Sequence, residues 1–138
     1  MWSSETSSYQ KEIREAFQGL MLKNEVDMYW SGHIHWYERL WPLTEDGKVD
    51  HDSVIDKDNY QTNPGVSMTH VINGQAGNVE SHSSINASQI LPITNVLDQK
   101  HYGFSKVTVH SKTKLSYQFI RGFDGSVGDE LTLVKKSS

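Results

Sequence analysis

The most informative stretch of this chain reads Gly32-His33-Ile34-His35-Trp36-Tyr37-Glu38-Arg39 and directly follows a short apolar run, residues 26–31. The length and composition of that run predict a buried β-strand. A strand that ends in Gly-His-x-His presents two imidazoles at its carboxyl end, where open α/β sheets bind ligands. The pattern therefore indicates His33 and His35 as metal ligands. Isolated His-x-His pairs also occur as surface or core residues, so the spacing permits a metal without requiring one.

The order of further segments on both sides of the histidine pair also indicates what kind of protein this is. They are Met1-Trp2-Ser3-Ser4, Trp41-Pro42, Val71-Ile72-Asn73-Gly74-Gln75-Ala76-Gly77-Asn78, Tyr102-Gly103-Phe104, Val107-Thr108-Val109-His110, Leu115-Ser116-Tyr117-Gln118-Phe119, and Asp124-Gly125-Ser126-Val127 with Asp129. Together with the histidine stretch, which resembles a GHxHxYER motif, this order resembles the C-terminal part of the purple acid phosphatases. These enzymes are members of the calcineurin-like metallophosphoesterase superfamily. The resemblance covers nearly the whole chain.

The resemblance implies a fold, a reaction and a cofactor. The expected fold class is α/β, as the C-terminal part of a four-layer αββα sandwich with one N-terminal helix, one strand leading into the histidine loop and a terminal antiparallel meander. The expected reaction is hydrolysis of phosphate monoesters at a dinuclear metal centre, in which Fe is paired with Zn, Mn or Fe. His33 and His35 would bind different metals of that pair.

The resemblance also implies that the donor set of this chain is incomplete. The family's other ligands, which are aspartates, a tyrosine, an asparagine and a further histidine, belong to upstream motifs that this sequence does not contain. Two histidines cannot hold two cations by themselves. No catalytic side chain is identified, and the isolated chain is expected to be inactive or weak. A partner that supplies the N-terminal half is one expectation.

Residues next to the pair are candidates for supporting the ligands or walling the site. A ligand histidine normally donates its other ring N–H to a carboxylate or carbonyl, which makes Glu38 a candidate; an ion pair between Glu38 and Arg39 is the alternative. Arg39 is a further candidate for supporting or walling the site, and Tyr37 either walls the site or packs beneath it. Asn73 and Gly74 close a second apolar run, residues 68–73, where glycine lets the backbone approach a ligand closely.

Other acidic and histidine residues are weaker candidates. Glu80 and His82 are spaced like ligands, but their Ser- and Asn-rich stretch predicts a solvated loop. His51, in an aspartate-rich segment, and His110, at the end of a strand, are both predicted to be exposed.

Composition sets limits on the class of protein. The chain has 138 residues, 36% hydrophobic and 22% charged, which is typical of a single globular domain, here residues 1–138. It has no cysteine, which excludes disulfides and thiolate chemistry. A net charge of −4 without a basic cluster argues against nucleic-acid binding. No apolar run approaches the roughly 20 residues that a membrane helix needs.

Localisation is expected from the resemblance alone. The first residues lack the basic-then-apolar pattern of a signal peptide, yet members of this family are often secreted. One glycosylation acceptor, Asn86-Ala87-Ser88, lies in a polar stretch and suits a secreted glycoprotein.

Periodicity predicts the remaining elements. A helix over residues 8–23 would bury one stripe made of Tyr9, Ile13, Ala16, Phe17, Leu20 and Met21, with a capping box from Ser7 and Gln10 and a left-handed end at Asn24. As the second half of a crossover, this helix predicts a parallel neighbour for the following strand from earlier in a longer chain. Residues 43–65 and 78–101 are predicted surface loops. Alternating residues from 104 to 133 predict the meander, with Phe104, Val107 and Val109 on one apolar face.

Two hypotheses about function follow. The first is the C-terminal portion of a purple acid phosphatase-like enzyme acting on phosphate monoesters. The alternative is a non-catalytic interaction module, or complementing fragment, that binds a protein partner.

Overall fold

A computed structural model of the protein describes residues 1–6 and 8–136. These residues form one α-helix, nine β-strands and two 3-10 helices. The helix is α1 (Ser8–Lys23), and the 3-10 helices are His51–Ser53 and Ala87–Gln89. The strands are β1 (Met28–Ser31), β2 (Tyr37–Leu40), β3 (Leu43–Thr44), β4 (Asn59–Gln61), β5 (Ser67–Asn73), β6 (Thr94–Asp98), β7 (Gly103–Ser111), β8 (Lys114–Arg121) and β9 (Val127–Val134).

The strands form two sheets that pack face to face. The first sheet has the order β1-β5-β2-β6, with β3 also paired to β5; β1 and β5 are parallel and the other pairs are antiparallel. The second sheet has the order β4-β9-β8-β7. Tyr37 and Val71 of the first sheet pack against Tyr117, Phe119 and Leu131 of the second. With α1 on the other face of the first sheet, the layers run helix, sheet, sheet, which confirms the predicted fold class.

Because the first sheet is covered on both faces, its central strands are buried along their whole length. β2 is buried at every position, and β5 at six of seven. Alternate residues of β5 serve opposite layers: Val71 contacts the second sheet, whereas Met68 packs against Met1 and Leu22 under the helix. The apolar run at residues 68–73 therefore reflects a two-sided environment. The run at residues 26–31 does not: β1, predicted to be buried, is only partly buried, and Trp30 is 45% exposed because β1 is an edge strand among the described residues.

The helix has the predicted bounds, but most of the predicted buried stripe is wrong. Met21 is partly buried against Met1, Leu22 and Met68, as predicted, and the side chain of Tyr9 lies outside the described part of the chain. Ile13, Phe17 and Leu20 are exposed, while Gln18 and Leu22 are buried. Gln18 faces inward because its side chain accepts a hydrogen bond from Trp2 Nε1 and donates to the carbonyls of residues 44 and 45. Ser7 of the predicted capping box lies outside the described residues. In the part of the chain that the structure describes, no helix is long and apolar enough to cross a membrane.

The end of α1 differs from prediction, since Glu25, with a φ of 56°, takes the left-handed conformation expected at Asn24. Strand β1 is parallel to β5, which comes later in the chain. A second parallel neighbour from earlier in a longer chain stays a prediction.

Both predicted surface loops contain strands. Residues 43–65 include β3 and β4, and Tyr60 of β4 is fully buried between the sheets. Residues 78–101 include β6, which pairs with β2. The prediction of surface loops is wrong at these strands because their short, mostly polar segments pair with distant parts of the chain: β3 with β5, β4 with β9 and β6 with β2. His51 is exposed, as predicted.

The terminal meander β7-β8-β9 is confirmed, with antiparallel pairing throughout. The prediction that Phe104, Val107 and Val109 share one face is wrong. Phe104 pairs with Ile120 and Val107 with Tyr117, in continuous register. Residues an odd number apart on a regular strand point to opposite faces, so Val107 and Val109 share the core face and Phe104 lies on the other.

Candidate metal site

Each histidine of the pair lies at the centre of its own tight turn. The amide of Ile34 donates to the carbonyl of Gly32 at 3.0 Å, and the amide of Trp36 donates to the carbonyl of Ile34 at 2.8 Å. These i to i+2 hydrogen bonds define two consecutive γ-turns with His33 and His35 at their centres. His33 has a φ of 73°, which belongs to the rarer and strained kind of γ-turn. The backbone at His33 is therefore strained, and this strained conformation sets the direction of its imidazole.

Both histidines line one cavity at the carboxyl end of β1. This histidine cavity has a volume of about 470 Å³ and is also lined by Tyr29, Ser31 and Glu80. Its far wall is formed by the first residues of the chain and by Gln10 and Ile13 of α1. The position matches the rule that open α/β sheets bind ligands beyond the carboxyl ends of their parallel strands. The two imidazoles thus face a common space.

Gly74 brings the end of β5 against the histidine loop. A Cβ added at Gly74 would lie 1.9 Å from the carbonyl oxygen of Ile34, so only glycine fits. The amide of Gly74 also donates to the carbonyl of Trp36 at 3.2 Å. Gly74 therefore makes a close approach to the backbone that carries the histidines, whereas the predicted approach to a ligand stays a prediction.

Residues 80–83 approach His35 from another direction. The carboxylate of Glu80 lies 3.7 Å from His35 Nε2, and the backbone of Ser83 donates to the carbonyl of His35 at 2.9 Å. Glu80 thus borders the cavity, and its side chain is 75% exposed, as predicted for a residue of a solvated loop. His82 does not line it: its Nδ1 lies 2.8 Å from Gln75 Oε1, and its ring packs on Tyr102.

Glu38 connects the strand after the histidine loop to the first residues of the chain. Its buried carboxylate accepts hydrogen bonds from Ser3 Oγ (2.5 Å), the Ser4 amide (2.9 Å), Trp36 Nε1 (3.1 Å) and Thr94 Oγ1 (2.5 Å). These donors differ from both predictions, since the partner is neither a ligand histidine nor Arg39. Glu38 holds in place the segment that forms the far wall of the cavity.

Arg39 and Tyr37 lie on the opposite face of the sheet, in the core between the two sheets. Arg39 makes two hydrogen bonds to Asp129, at 2.6 and 2.8 Å, and one to Asp58 at 2.8 Å. Tyr37 donates to Asp129 at 2.6 Å and stacks on Phe119 with ring centroids 4.3 Å apart. Neither side chain lines the histidine cavity.

The surroundings of these two groups set their pKa values. Burial opposes the charge of Arg39, but the hydrogen bonds and charge of Asp129 outweigh it, so the guanidinium pKa is raised. Burial and the nearby Tyr117 and Asp129 raise the pKa of Tyr37 well above its usual value. Arg39 therefore stays charged and Tyr37 protonated, which suits a structural role.

Asn73, at the end of β5, lines a second groove instead of the histidine cavity. Its side chain donates to Ser105 Oγ at 2.9 Å and accepts from the Gln75 amide at 3.1 Å. Asn86 is exposed at the start of the second 3-10 helix.

His70 was not predicted as a candidate, because no motif or spacing in the sequence around it indicates a special role. His70 of β5 is fully buried, with Nδ1 donating to the carbonyl of Met68 at 3.0 Å and a buried Nε2 without a hydrogen-bond partner. Burial, with a smaller effect of the N-terminal ammonium, lowers its pKa to about 3. The ring packs beside Tyr29 of the cavity wall.

The donors of this chain make up part of a metal site. Two imidazoles and the Glu80 carboxylate border the cavity, but residues 1–6 and 8–136 hold no group of three or more His, Cys, Asp or Glu arranged to bind a metal ion. Two cations need more donors than these. The chain alone therefore does not fit a complete dinuclear centre, and no reaction step through one is derived from it.

Comparisons with known proteins identify the family. A family model described as iron/zinc purple acid phosphatase-like protein C matches residues 67–130. An acid phosphatase of Aspergillus ficuum is 54% identical over 99% of this chain and 22% of its own length. This chain belongs to the purple acid phosphatase family.

Further purple acid phosphatases agree in fold and in extent. The enzyme isolated from yellow lupin (Lupinus luteus) seeds superposes with a TM-score of 0.69 and 28% identity, over 86% of this chain and 19% of the lupin chain. An Arabidopsis thaliana protein named "Probable inactive purple acid phosphatase 27" is 29% identical over 98% of this chain and 21% of its own length. The chain thus spans about a fifth of the length of these relatives, whose names include both acid phosphatases and an inactive protein.

Proposed function

We propose that this chain contributes His33 and His35 to a dinuclear metal centre that hydrolyses phosphate monoesters. The observation that carries the proposal is the pair of consecutive γ-turns, one of them strained, that directs both imidazoles into one cavity. Strained backbone persists where the surrounding structure enforces it, and it clusters at functional sites. The family relationship supports the choice of reaction.

The chemistry divides between the metals and the chain. When bound together with donors from outside this chain, such ions would supply Lewis acidity towards the phosphate and would activate water. His33 and His35 would each hold one ion, and Glu80, 3.7 Å from His35, places a negative charge there that favours a cation. Imidazole binds Fe, Zn and Mn alike, so we propose Fe paired with Zn, Mn or Fe on the family relationship alone.

The remaining donors come from polypeptide that the relatives carry outside the matched region. The chain itself contributes the positioning of its two ligands. Gly74 packs the end of β5 against the loop, and Glu38 holds Ser3 and Ser4 at the opposite wall. Both contacts limit how far the rings move away from the cavity.

We also propose secretion and glycosylation at Asn86. The exposed side chain and the surrounding polar loop give an oligosaccharide free access. Expression through a eukaryotic secretory pathway should yield a chain whose mass falls on treatment with peptide N-glycosidase F, and Asn86→Gln should remove that shift. A chain secreted with unchanged mass would contradict this part.

The enzymatic proposal is tested in a hybrid enzyme. In this hybrid the chain replaces the matching 22% of the Aspergillus ficuum acid phosphatase. Hydrolysis of p-nitrophenyl phosphate should be retained, and His33→Ala or His35→Ala should each lower kcat/KM by about a hundredfold or more, since changes behind metal ligands already cost 10- to 100-fold.

His51→Ala and His110→Ala serve as matched controls because both side chains are exposed and neither lines the histidine cavity. They should leave hydrolysis within a factor of two. A folded hybrid without activity, or one whose activity survives both His33→Ala and His35→Ala, would contradict the proposal.

A further inference from the structure

We propose that a groove lined by three lysines, at one end of the second sheet, binds an acidic polysaccharide. This basic groove lies where the turn between β7 and β8 meets the residue that follows β9, and its lysines are Lys112, Lys114 and Lys135. It is separate from the histidine cavity, since the two have no lining residue in common. The choice of a polysaccharide rests on the secretion proposed above, whereas the presence of a polyanion site does not.

The fold brings together lysines that are distant in the sequence. Lys114 begins β8 and pairs with Val134, the last residue of β9, and the amide of Lys135 donates to the carbonyl of Thr113 at 2.9 Å. These contacts place Lys135 beside the turn that carries Lys112 and Lys114. Because β8 and β9 separate the two groups of lysines along the chain, the sequence does not predict the cluster.

The groove has donors suited to anionic groups. Its volume is about 230 Å³, and Ser111 and Thr113 line it together with the lysines. A lysine ammonium is a compact point charge with three rotatable donors. Neighbouring strands lie about 4.7–4.9 Å apart, so lysines carried by successive strand ends suit the successive charges of a polymer better than a single small anion.

The lysines of the basic groove are available to a partner. All three are exposed, and none of the ion pairs in the described part of the chain includes them. Lys11 and Lys48, by contrast, pair with Glu15 and Asp46. Among the described residues that line the groove, Asp27 is the only acid. The whole chain has a formal charge of −4, and without these three lysines the rest carries −7, so the groove is a local reversal of charge.

The surroundings of the groove favour a polysaccharide over a nucleic acid or a membrane. Its described lining contains no aromatic ring on which a base could stack. Polybasic clusters bind membranes at the anionic cytoplasmic leaflet, a surface that a secreted chain does not meet. Clustered basic residues also form heparin-binding patches. A sulfated or carboxylated polysaccharide of the extracellular space therefore fits the groove best.

Salt-dependent binding to two polysaccharides tests the inference. The chain is applied to immobilised heparin, which is sulfated, and to immobilised polygalacturonate, which carries carboxylates alone. The triple variant Lys112→Gln, Lys114→Gln, Lys135→Gln should bind about tenfold more weakly or worse. The slope of log K against log [NaCl] should become shallower by about 2 to 3, since each neutralised charge contributes roughly 0.7–0.9. Retention on one of the two supports would assign sulfate or carboxylate as the group that the lysines prefer.

The triple variant Lys11→Gln, Lys48→Gln, Lys57→Gln is the matched control, because it makes the same change in net charge at exposed positions outside the groove. It should leave the affinity and the slope unchanged. Equal far-UV circular dichroism spectra of the three proteins show that the fold is kept.

Three results would overturn the inference: retention on neither polysaccharide, equal losses in the two triple variants, or tighter binding to single-stranded DNA or phosphatidylserine vesicles than to either polysaccharide. The measurement involves neither phosphatase activity nor export from a cell. A chain that binds heparin through these lysines but is not secreted would contradict the proposed secretion and leave the basic groove as a polyanion site.

Discussion

At the scale of single residues, His33 is distinguished by a φ of 73° at the centre of a γ-turn. A residue held in a strained conformation of this kind costs about 1–3 kcal/mol, which supports the proposed role as a ligand. The motif predicted the two imidazoles, but neither the strain nor the two γ-turns could be read from it, because both depend on the packing of Gly74 against Ile34.

The strain at His33 is measurable. His33→Gly should be more stable than His33→Ala by about 1 kcal/mol, because glycine adopts a positive φ without steric cost. His35 lies outside the positive-φ region, so there the order should reverse and His35→Gly should be the less stable variant. Urea unfolding of the four variants checks this, and the same order at both positions would contradict the geometry of the loop.

His70 gives stability a dependence on pH. Its pKa is about 3 in the folded protein and 6.5 in the unfolded chain, so between these values the unfolded state binds more protons. The free energy of unfolding should therefore fall as the pH decreases from 6.5 towards 3, by up to about 1.4 kcal/mol per pH unit. Above pH 6.5 His70 has no effect.

The comparison of His70→Leu with the unchanged chain isolates this contribution. Denaturant midpoints across that pH range should show a shallower slope for His70→Leu, while the aspartates whose pKa values are lowered act equally in both. His110→Gln, at an exposed position, should keep the original slope. Equal slopes for His70→Leu and the unchanged chain would show that His70 is not buried as a neutral ring.

At the scale of elements, α1 shows what periodicity can and cannot determine. The spacing of Ile13, Phe17 and Leu20 correctly located the helix. It did not reveal which face docks, because the hydrogen bonds that turn Gln18 inward come from Trp2 and from residues 44 and 45. Ile13, Phe17 and Leu20 consequently remain exposed.

The contact between β5 and the histidine loop is tested at Gly74. Gly74→Ala would place a methyl group 1.9 Å from the carbonyl oxygen of Ile34, so the loop or the strand has to move. We expect a loss of more than about 2 kcal/mol of stability and large NMR shifts for the amides of His33 and His35.

Gly32→Ala is the control for that substitution. A Cβ at Gly32 would lie 3.7 Å from the nearest atom, the carbonyl oxygen of Asn73, which is an ordinary contact. Its stability should change by less than about 1 kcal/mol. Equal effects of the two substitutions would contradict the close approach at Gly74.

At the scale of the whole molecule, local patterns predicted the helix, the terminal meander and the histidine pair. Long-range pairings escaped them. Glu80 contacts His35 at a separation of 45 residues, and Arg39 contacts Asp129 at a separation of 90 residues. Spacing along the sequence gives no information about such contacts, since they depend on how the two sheets pack.

The packing of the two sheets also explains why the candidate supporting residues Tyr37, Glu38 and Arg39 lie on different faces of the first sheet. Tyr37, Glu38 and Arg39 are adjacent, but a strand directs alternate residues to opposite faces. Glu38 therefore lies on the cavity face of the sheet, whereas Tyr37 and Arg39 join the core between the sheets. Adjacent residues of the motif therefore contribute to two different layers: Glu38 to the side of the helix, and Tyr37 and Arg39 to the core between the sheets.

The central claim is that His33 and His35 bind the two metals of a phosphatase centre completed by polypeptide outside this chain. A crystal structure of the hybrid enzyme, with anomalous scattering data that identify each metal, tests it most directly. We expect one ring nitrogen of each histidine at about 2.0–2.3 Å from a different ion, the usual range for metal–imidazole bonds. Two occupied metal positions with either ring outside bonding distance would contradict the account.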